Sequence, residues 1–389
     1  MSLCVRSKFA LLGPRAAPLG AVYSARNKGS SLGTKGTRLE LLRKGTGGRS
    51  SFNGIIATIF GSNGFLARYV INALGQTGAM MVLPHRCDPY LMMRLKVAGD
   101  LGQIQFHFFD LRDEKSIAAA MQYSNVVINL IGKDQASGNF SLDDVHVKGA
   151  RSIARLARES GVEKLIHFSA LNAAEKPEKL MFAPSKFFST KWEGEQVVRE
   201  EFPDAIVFRP SDMYGHEDRF VRYYSGQWRC NYSVMPLWKG GRKIYKAPVF
   251  VGDVARAVVE AINQKGNEGE TYQAVGPKLY ELRSLMRYIS QLLEREMHLY
   301  DLRFDPLFMA KISYAELFKN PKMSWERLRR EHTSDTIYGE IKTIEDLGVR
   351  LTEIEDRFPF EFQYFRVYQF EDPLSFRPNF VEPPPAIRY

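Results

Sequence analysis

Cysteine is scarce in this chain: 389 residues contain three, Cys4, Cys87 and Cys230. So small and odd a set excludes a disulfide framework and fits a reducing compartment. No window approaches the roughly eighteen uninterrupted apolar residues of a membrane-crossing helix, so no transmembrane span is expected. No group of His, Cys and Asp has metal-ligand spacing, so no metal site is expected. Acids are nearly missing from the first fifty residues, where Glu40 stands alone against ten Lys/Arg. That segment carries +9 of the net +10, and the remainder holds 44 bases against 43 acids. The body of the chain is therefore almost neutral.

A basic, acid-poor start containing Ser, Gly and Ala, with Leu, Val and Phe interleaved over Leu3 to Leu12, has the composition of a mitochondrial transit peptide. Residues 1–50 are assigned to it and a basic linker, ahead of a disordered basic tail or a nucleic-acid arm. Secretion fits poorly, because no compact apolar core of a signal peptide is present. With 44% hydrophobic and 12% aromatic residues, the rest can bury a large core and a second, smaller region.

The richest local signal is Ile55-Ile56-Ala57-Thr58-Ile59-Phe60-Gly61-Ser62-Asn63-Gly64-Phe65-Leu66-Ala67. A short branched apolar run reads as a buried parallel strand, and the glycines after it open a helix. Gly61 permits a tight turn, and Gly64 lets a phosphate approach bare backbone at the positive end of the helix. Ala67 supplies the small residue that close packing of helix on strand requires. The spacing is Gly-x-x-Gly-x-x-Ala. Taken alone, such a turn is an ordinary strand-to-helix connection as often as a phosphate site.

Context decides between those readings. Further strands are expected at 79–83, 104–109, 125–131, 164–169 and 205–210, with helices over 65–74, 116–123, 144–160 and 186–201. Six strands separated by helices form a parallel, doubly wound sheet. In such a sheet ligands sit outside the carboxyl ends of the strands, where Gly61, Arg86, Asp110, Gly132, Ser169 and Pro210 fall. An acid after the second strand would meet the ribose hydroxyls of NAD; Arg86 stands there instead and suits a 2′-phosphate, hence NADP(H).

These landmarks, with Asp110-Leu111-Arg112-Asp113, Asn129-Leu130-Ile131-Gly132, Arg209-Pro210-Ser211-Asp212-Met213-Tyr214-Gly215 and Pro248 to Val254, resemble the extended and atypical short-chain dehydrogenase/reductases. Within that superfamily the chain resembles the nucleotide-binding accessory subunits of mitochondrial respiratory complex I, over residues 50 to 360. The resemblance implies an α/β fold, a Rossmann-like doubly wound parallel sheet with a smaller C-terminal α-rich lobe. It implies an NADPH site built from Gly61, Ser62, Asn63, Gly64, Phe65 and Leu66 in the turn and Arg86, Asp110, Leu111, Leu130, Ile131 and Gly132 at later strand ends. Ser169, Lys191, Pro210 and Met213 complete that site. It also implies partners among complex I subunits, on the matrix side of the inner membrane without a membrane span; the nearly neutral body of the chain gives no reason to expect a nucleic acid partner.

Active members of the superfamily pair a tyrosine hydroxyl with a lysine four residues later, the lysine lowering the tyrosine pKa for proton transfer. With Lys191 in the lysine place the tyrosine place is Phe187, and the shifted register, Phe182 with Lys186, again gives phenylalanine. Ser185, Ser189 and Thr190 cannot replace a phenol without a separate base. His146 holds the position of a common asparagine and reads as a base or a packing residue. No catalytic residue is therefore assigned, and an active NADP-dependent reductase or epimerase stands as the alternative.

Beyond the dinucleotide domain, 51–215, a smaller lobe with returning Rossmann elements is expected over 216–300 and a partner-docking extension over 301–389. The smaller lobe carries Tyr223, Tyr224, Trp228, Tyr232 and Trp238 among Arg219, Arg222, Arg229, Lys239, Arg242 and Lys243. That mixture also permits RNA stacking, the second alternative. In the extension, the segments 302–308 and 358–365 carry more apolar residues than a tail needs, and Pro383 to Pro385 should be extended.

Overall fold

The computed structural model of the protein describes residues 43–45, 47–136, 138–181, 183–225, 234–316, 324–365 and 381–389. The first 42 residues of the transit-peptide segment, with Cys4, and also Phe182, Trp228, Arg229, Cys230 and Tyr232, lie outside them. Near the start, Lys44 pairs antiparallel with Phe52, and Ser50 Oγ donates to Asp100 at 2.5 Å.

Eight parallel strands form the main sheet: β1 (Ile56–Phe60), β2 (Met80–His85), β3 (Ile104–Phe108), β4 (Val126–Asn129), β5 (Lys164–Phe168), β6 (Ile206–Pro210), β7 (Thr271–Ala274) and β8 (Lys342–Thr343). Their order is β8-β7-β6-β5-β4-β1-β2-β3. The six expected strands are present, and β7 and β8 extend the sheet beyond them. β7 is short and contains Tyr272 and Gln273, and β8 has two residues, so neither carries an apolar run. The order reverses between β1 and β4, and there a doubly wound sheet opens its ligand crevice.

Helices cover both faces. On one lie α1 (Phe65–Gln76) and α5 (Val251–Asn263); on the other, α2 (Glu114–Met121), α3 (Gly149–Glu159) and α4 (Lys186–Glu201). α1 buries Leu66, Ala67, Val70, Ile71 and Leu74, an i, i+4 and i, i+3 stripe, against the fully buried Ala57 and Ile59 of β1. The side chains of Phe60 and Val127 serve the opposite core, as alternation along a strand requires.

A second lobe is built on α6 (Leu282–Leu292), with α7 (Pro306–Ala315), α8 (Trp325–His332) and α9 (Ile354–Phe362) following. Its core holds Tyr214, Tyr223, Tyr224, Tyr280, Phe358 and Phe362. Two expectations change here. Phe358 and Phe362 are fully buried inside the chain, so this part of the C-terminal region packs inward. Tyr223 and Tyr224 are buried too, which removes them as RNA-stacking surfaces. No described helix is long and apolar enough to cross a membrane.

Candidate functional site

The site starts at the mouth of β1. Gly61 has φ +82, the left-handed region that glycine adopts without strain, and a Cβ there would stand 3.0 Å from the Leu130 carbonyl carbon and oxygen. The turn thus lies against the mouth of β4, at the point of strand-order reversal. Gly64 N–H donates to Gly61 O at 2.9 Å and caps α1 in extended conformation, with no side-chain cap over the first turn. The amides of that first turn are open to an anion. Ser62 is buried and donates to Pro84 O at 3.0 Å, tying the turn to β2. Asn63 accepts from Arg94 Nη2 at 2.6 Å.

Past β2, Arg86 is exposed and stands 5.4 Å from the Phe140 ring, with Arg112 at 4.4 Å on the same ring. Burial and then Arg86 lower the Lys133 ammonium, so two cations share the end of the crevice nearest β2. Asp110 turns its carboxylate to Arg112 N–H at 2.8 Å. Leu111 and Ile131 point into the core beneath α3, where Leu111 occupies the space that a Cβ on Gly149 would need.

A cavity of about 340 Å³ continues from Gly64 across the sheet ends. Of the expected site residues it gathers Gly64, Phe65, Leu66, Leu130, Gly132, Ser169, Lys191, Pro210 and Met213. Gly61, Ser62, Asn63, Arg86, Asp110, Leu111 and Ile131 lie outside it, the first four along the glycine turn and the β2 end. Lys191 is buried, donates to Phe168 O at 2.9 Å, and lies close enough that a Cβ on Gly132 would be 3.4 Å from its Nζ. Burial brings its pKa down to about 8, opposed by Asp134. Ser169 Oγ, on the cavity wall, and His167 Nε2 are buried polar atoms with no hydrogen-bond partner. Such atoms call for a partner.

Phe187 lies on the same wall, and the hydroxyls next to it in sequence are already engaged. Ser185 donates to Glu326, Ser189 to Lys186 O at 3.1 Å, and Thr190 to Phe187 O at 3.1 Å. His146 sits in a π-helical turn, Asp144–Lys148, that opens into α3. Its Nε2 accepts from Lys133 N–H at 3.1 Å and its Nδ1 meets Thr190 Oγ1 at 2.9 Å. Burial, then Lys191, pushes it down to about 3, so the ring is neutral and fully engaged. It is a packing residue. Gly194 makes this possible, because a Cβ there would lie 2.2 Å from His146 O.

The far end of the cavity is closed by α8. Glu326 accepts from Phe187 N–H at 2.9 Å and caps α4. Arg330 lies 4.6 Å from the centre of the Phe187 ring and 2.8 Å from Asp134, which also pairs with Arg219. The two guanidiniums outweigh burial and hold the Asp134 carboxyl well below its usual range. Glu331 accepts from Tyr223 OH at 2.9 Å, and Arg327 stacks 3.8 Å from that ring. Asp134, Glu326, Arg327, Arg330 and Glu331 did not figure in the sequence reading, nor did Lys133; Lys133, directly after Gly132, was findable by position, but Arg330 carries no local signal. Among the described residues no group of three His, Cys, Asp or Glu is placed to hold a metal.

Residues 57–274 match the NAD dependent epimerase/dehydratase family. The chain is 41% identical over 315 residues, 80% of each chain, to "NADH dehydrogenase [ubiquinone] 1 alpha subcomplex subunit 9, mitochondrial" of Mus musculus. It is 36% identical over 327 residues, 83% of this chain and 82% of the other, to the "NADH-ubiquinone oxidoreductase 40 kDa subunit, mitochondrial" of Neurospora crassa. Among solved structures, the dTDP-glucose 4,6-dehydratase DesIV of Streptomyces venezuelae, with NAD and TYD bound, superimposes with a TM-score of 0.60. That likeness covers 82% of this chain and 100% of the other at 13% identity and concerns the fold. The chain belongs to the NAD dependent epimerase/dehydratase family and, within it, to the alpha subcomplex subunit 9 branch.

Proposed function

We propose that this chain is an accessory subunit of mitochondrial complex I, on the matrix side, that holds NADPH as a structural ligand and does not turn it over. The observation that carries this reading is the composition of the wall at Phe187. Lys191 lies ready for a ribose, while the place of the proton donor is a phenyl ring stacked by Arg330. The residues present fit a dinucleotide: an open first turn at Gly64, orphaned Ser169 Oγ, and Arg86 and Lys133 where a 2′-phosphate and the diphosphate need cations. When bound, the nicotinamide would supply hydride chemistry; the phenyl ring of Phe187 has no proton to move with the hydride.

A ligand that binds only the folded state stabilises it by mass action, about 2.7 kcal/mol at a hundred times its Kd, which gives the site a use without turnover. Two measurements test the reading. Arg86→Ala is expected to weaken NADPH binding about tenfold and NADH binding much less, as loss of one charge-assisted phosphate contact requires; equal losses would remove the phosphate assignment. On native gels of solubilised mitochondrial membranes the protein should migrate with complex I, and a wholly free soluble pool would defeat the accessory role.

A further inference from the structure

A second cavity, of about 580 Å³, opens in the second lobe and shares no lining residue with the first. α8 separates them: Arg327, Arg330 and Glu331 face the cofactor cavity, and His332 lines the other. The volume suits a ligand of metabolite size. Its charged walls are lopsided, with Lys239, Arg242, Lys243, Arg283 and Arg303 against Glu178 and Asp301. Asp301 is already committed, since Arg303 grips it through Nε at 2.9 Å and Nη2 at 2.6 Å, and Lys239 N–H donates to it at 3.0 Å. Lys239, Arg242, Lys243 and Arg283 have no ion pair among the described residues.

The backbone is arranged to hold these cations together. Lys239 and Lys243 take φ +53 and +58, a conformation that L side chains rarely adopt, and Gly240 and Gly241 between them are also left-handed. Non-glycine residues persist in that region only where the surroundings enforce it, and such positions cluster at ligand sites. A Cβ on Gly241 would come 3.2 Å from Arg283 N, so the glycine lets the loop close onto the start of α6. Partial burial, then Arg242 and Arg287, lower Arg283 against the opposing pull of Glu281, so the like charges outweigh the nearby acid. Trp238, Ile244 and Leu299 give the same cavity an apolar wall.

We propose that this cavity binds a phosphate ester, its anion held by Arg242, Arg283 and Lys243 and its organic part laid against Trp238 and Leu299. Four cations without an ion pair among the described residues, around one half-open cavity, match a dianion, and guanidiniums bind phosphate oxygens in pairs. The ester is either a soluble metabolite or a lipid headgroup. The site is independent of the cofactor cavity and of the function proposed for it.

The test titrates the full-length protein with phenyl phosphate by calorimetry, and measures cosedimentation with phosphatidylcholine vesicles with and without phosphatidic acid. The double variant Arg242→Gln/Arg283→Gln should weaken the responding probe about tenfold or more, whereas Lys115→Gln/Arg151→Gln, an equal charge loss on another face, should leave it unchanged. Arg242→Glu, on an exposed side chain, repeats the test should the double variant lose its fold. Dependence of phosphatidic-acid vesicles on the two arginines identifies a lipid headgroup; dependence of phenyl phosphate alone identifies a soluble ester. The proposal is overturned if neither probe binds, if the two double variants lose binding equally, or if saturating NADPH abolishes it.

Discussion

The two ends of the cofactor cavity are built in opposite ways. At the β1–β4 end the walls are backbone amides, glycines and cations left open, with Gly61 against Leu130 and Arg86 exposed. At the α8 end every charge is answered from within the chain, Arg330 and Arg219 by Asp134, Glu326 by the first turn of α4, and Glu331 by Tyr223. An open end awaits a ligand, and a self-satisfied end needs none. On the function proposed above, the contrast lets one cavity hold a cofactor without supplying the proton donor of a reaction.

The contrast breaks most completely at Gly61. Gly61→Val puts a β-branched residue at φ +82 and drives its Cβ into Leu130, an expected loss of about 3 kcal/mol of stability together with dinucleotide binding. Denaturant melts with and without NADPH measure both; an unchanged melt would mean that the turn is not under that constraint. Lys191→Met sharpens it next. Because folding lowers the Lys191 pKa from 10.5 to about 8, the unfolded chain binds the extra proton between those values, so the apo protein gains stability as pH rises from about 8 to 10.5. The methionine variant should lose that rise, be more stable at pH 7 by up to about 3 kcal/mol, and bind NADPH less well. Chemical denaturation across that pH range is the measurement.

At the closed end, Arg330→Ala leaves Asp134 with Arg219 alone and should cost about 2 kcal/mol, less than a fully buried pair because Asp134 is partly exposed. Asp134 is depressed in the folded protein, so the difference between wild type and variant is present in full above the ordinary carboxylate range. It fades as pH falls through the folded value of Asp134. The smallest effect belongs to Phe187→Tyr, which restores the hydroxyl but not the open space, since Arg330 still covers the ring. Carbonyl reduction should stay undetectable in an NADPH oxidation assay. Turnover by this variant would show the far end to be open after all.

Much of the open end was legible in the sequence because its chemistry is local: a strand, a turn and a helix within thirteen residues specify Gly61, Gly64 and Ala67. Lys191 and Phe187 were legible for the same reason, being four apart on one helix. The closed end was not, because Arg330 reaches Asp134 across 196 residues, and nothing near either residue announces the other. Of the two extra strands, β8 was hidden by its brevity and β7 by Thr271 and Gln273, which break up an apolar run. The aromatics of the second lobe misled in a different way: Tyr223 and Phe358 look alike as surface or as core until their partners are placed, and both are core.

The cap that Glu326 supplies to α4 comes from 139 residues downstream of Phe187. On the ribosome, then, every strand from β1 to β6 and the whole glycine turn are made well before the carboxylate that finishes the lysine-bearing helix. The open end is complete early in synthesis, and the closed end only after most of the chain has emerged. A chain stopped before α8 would keep its phosphate turn and leave the amides of Lys186 and Phe187 without their acceptor.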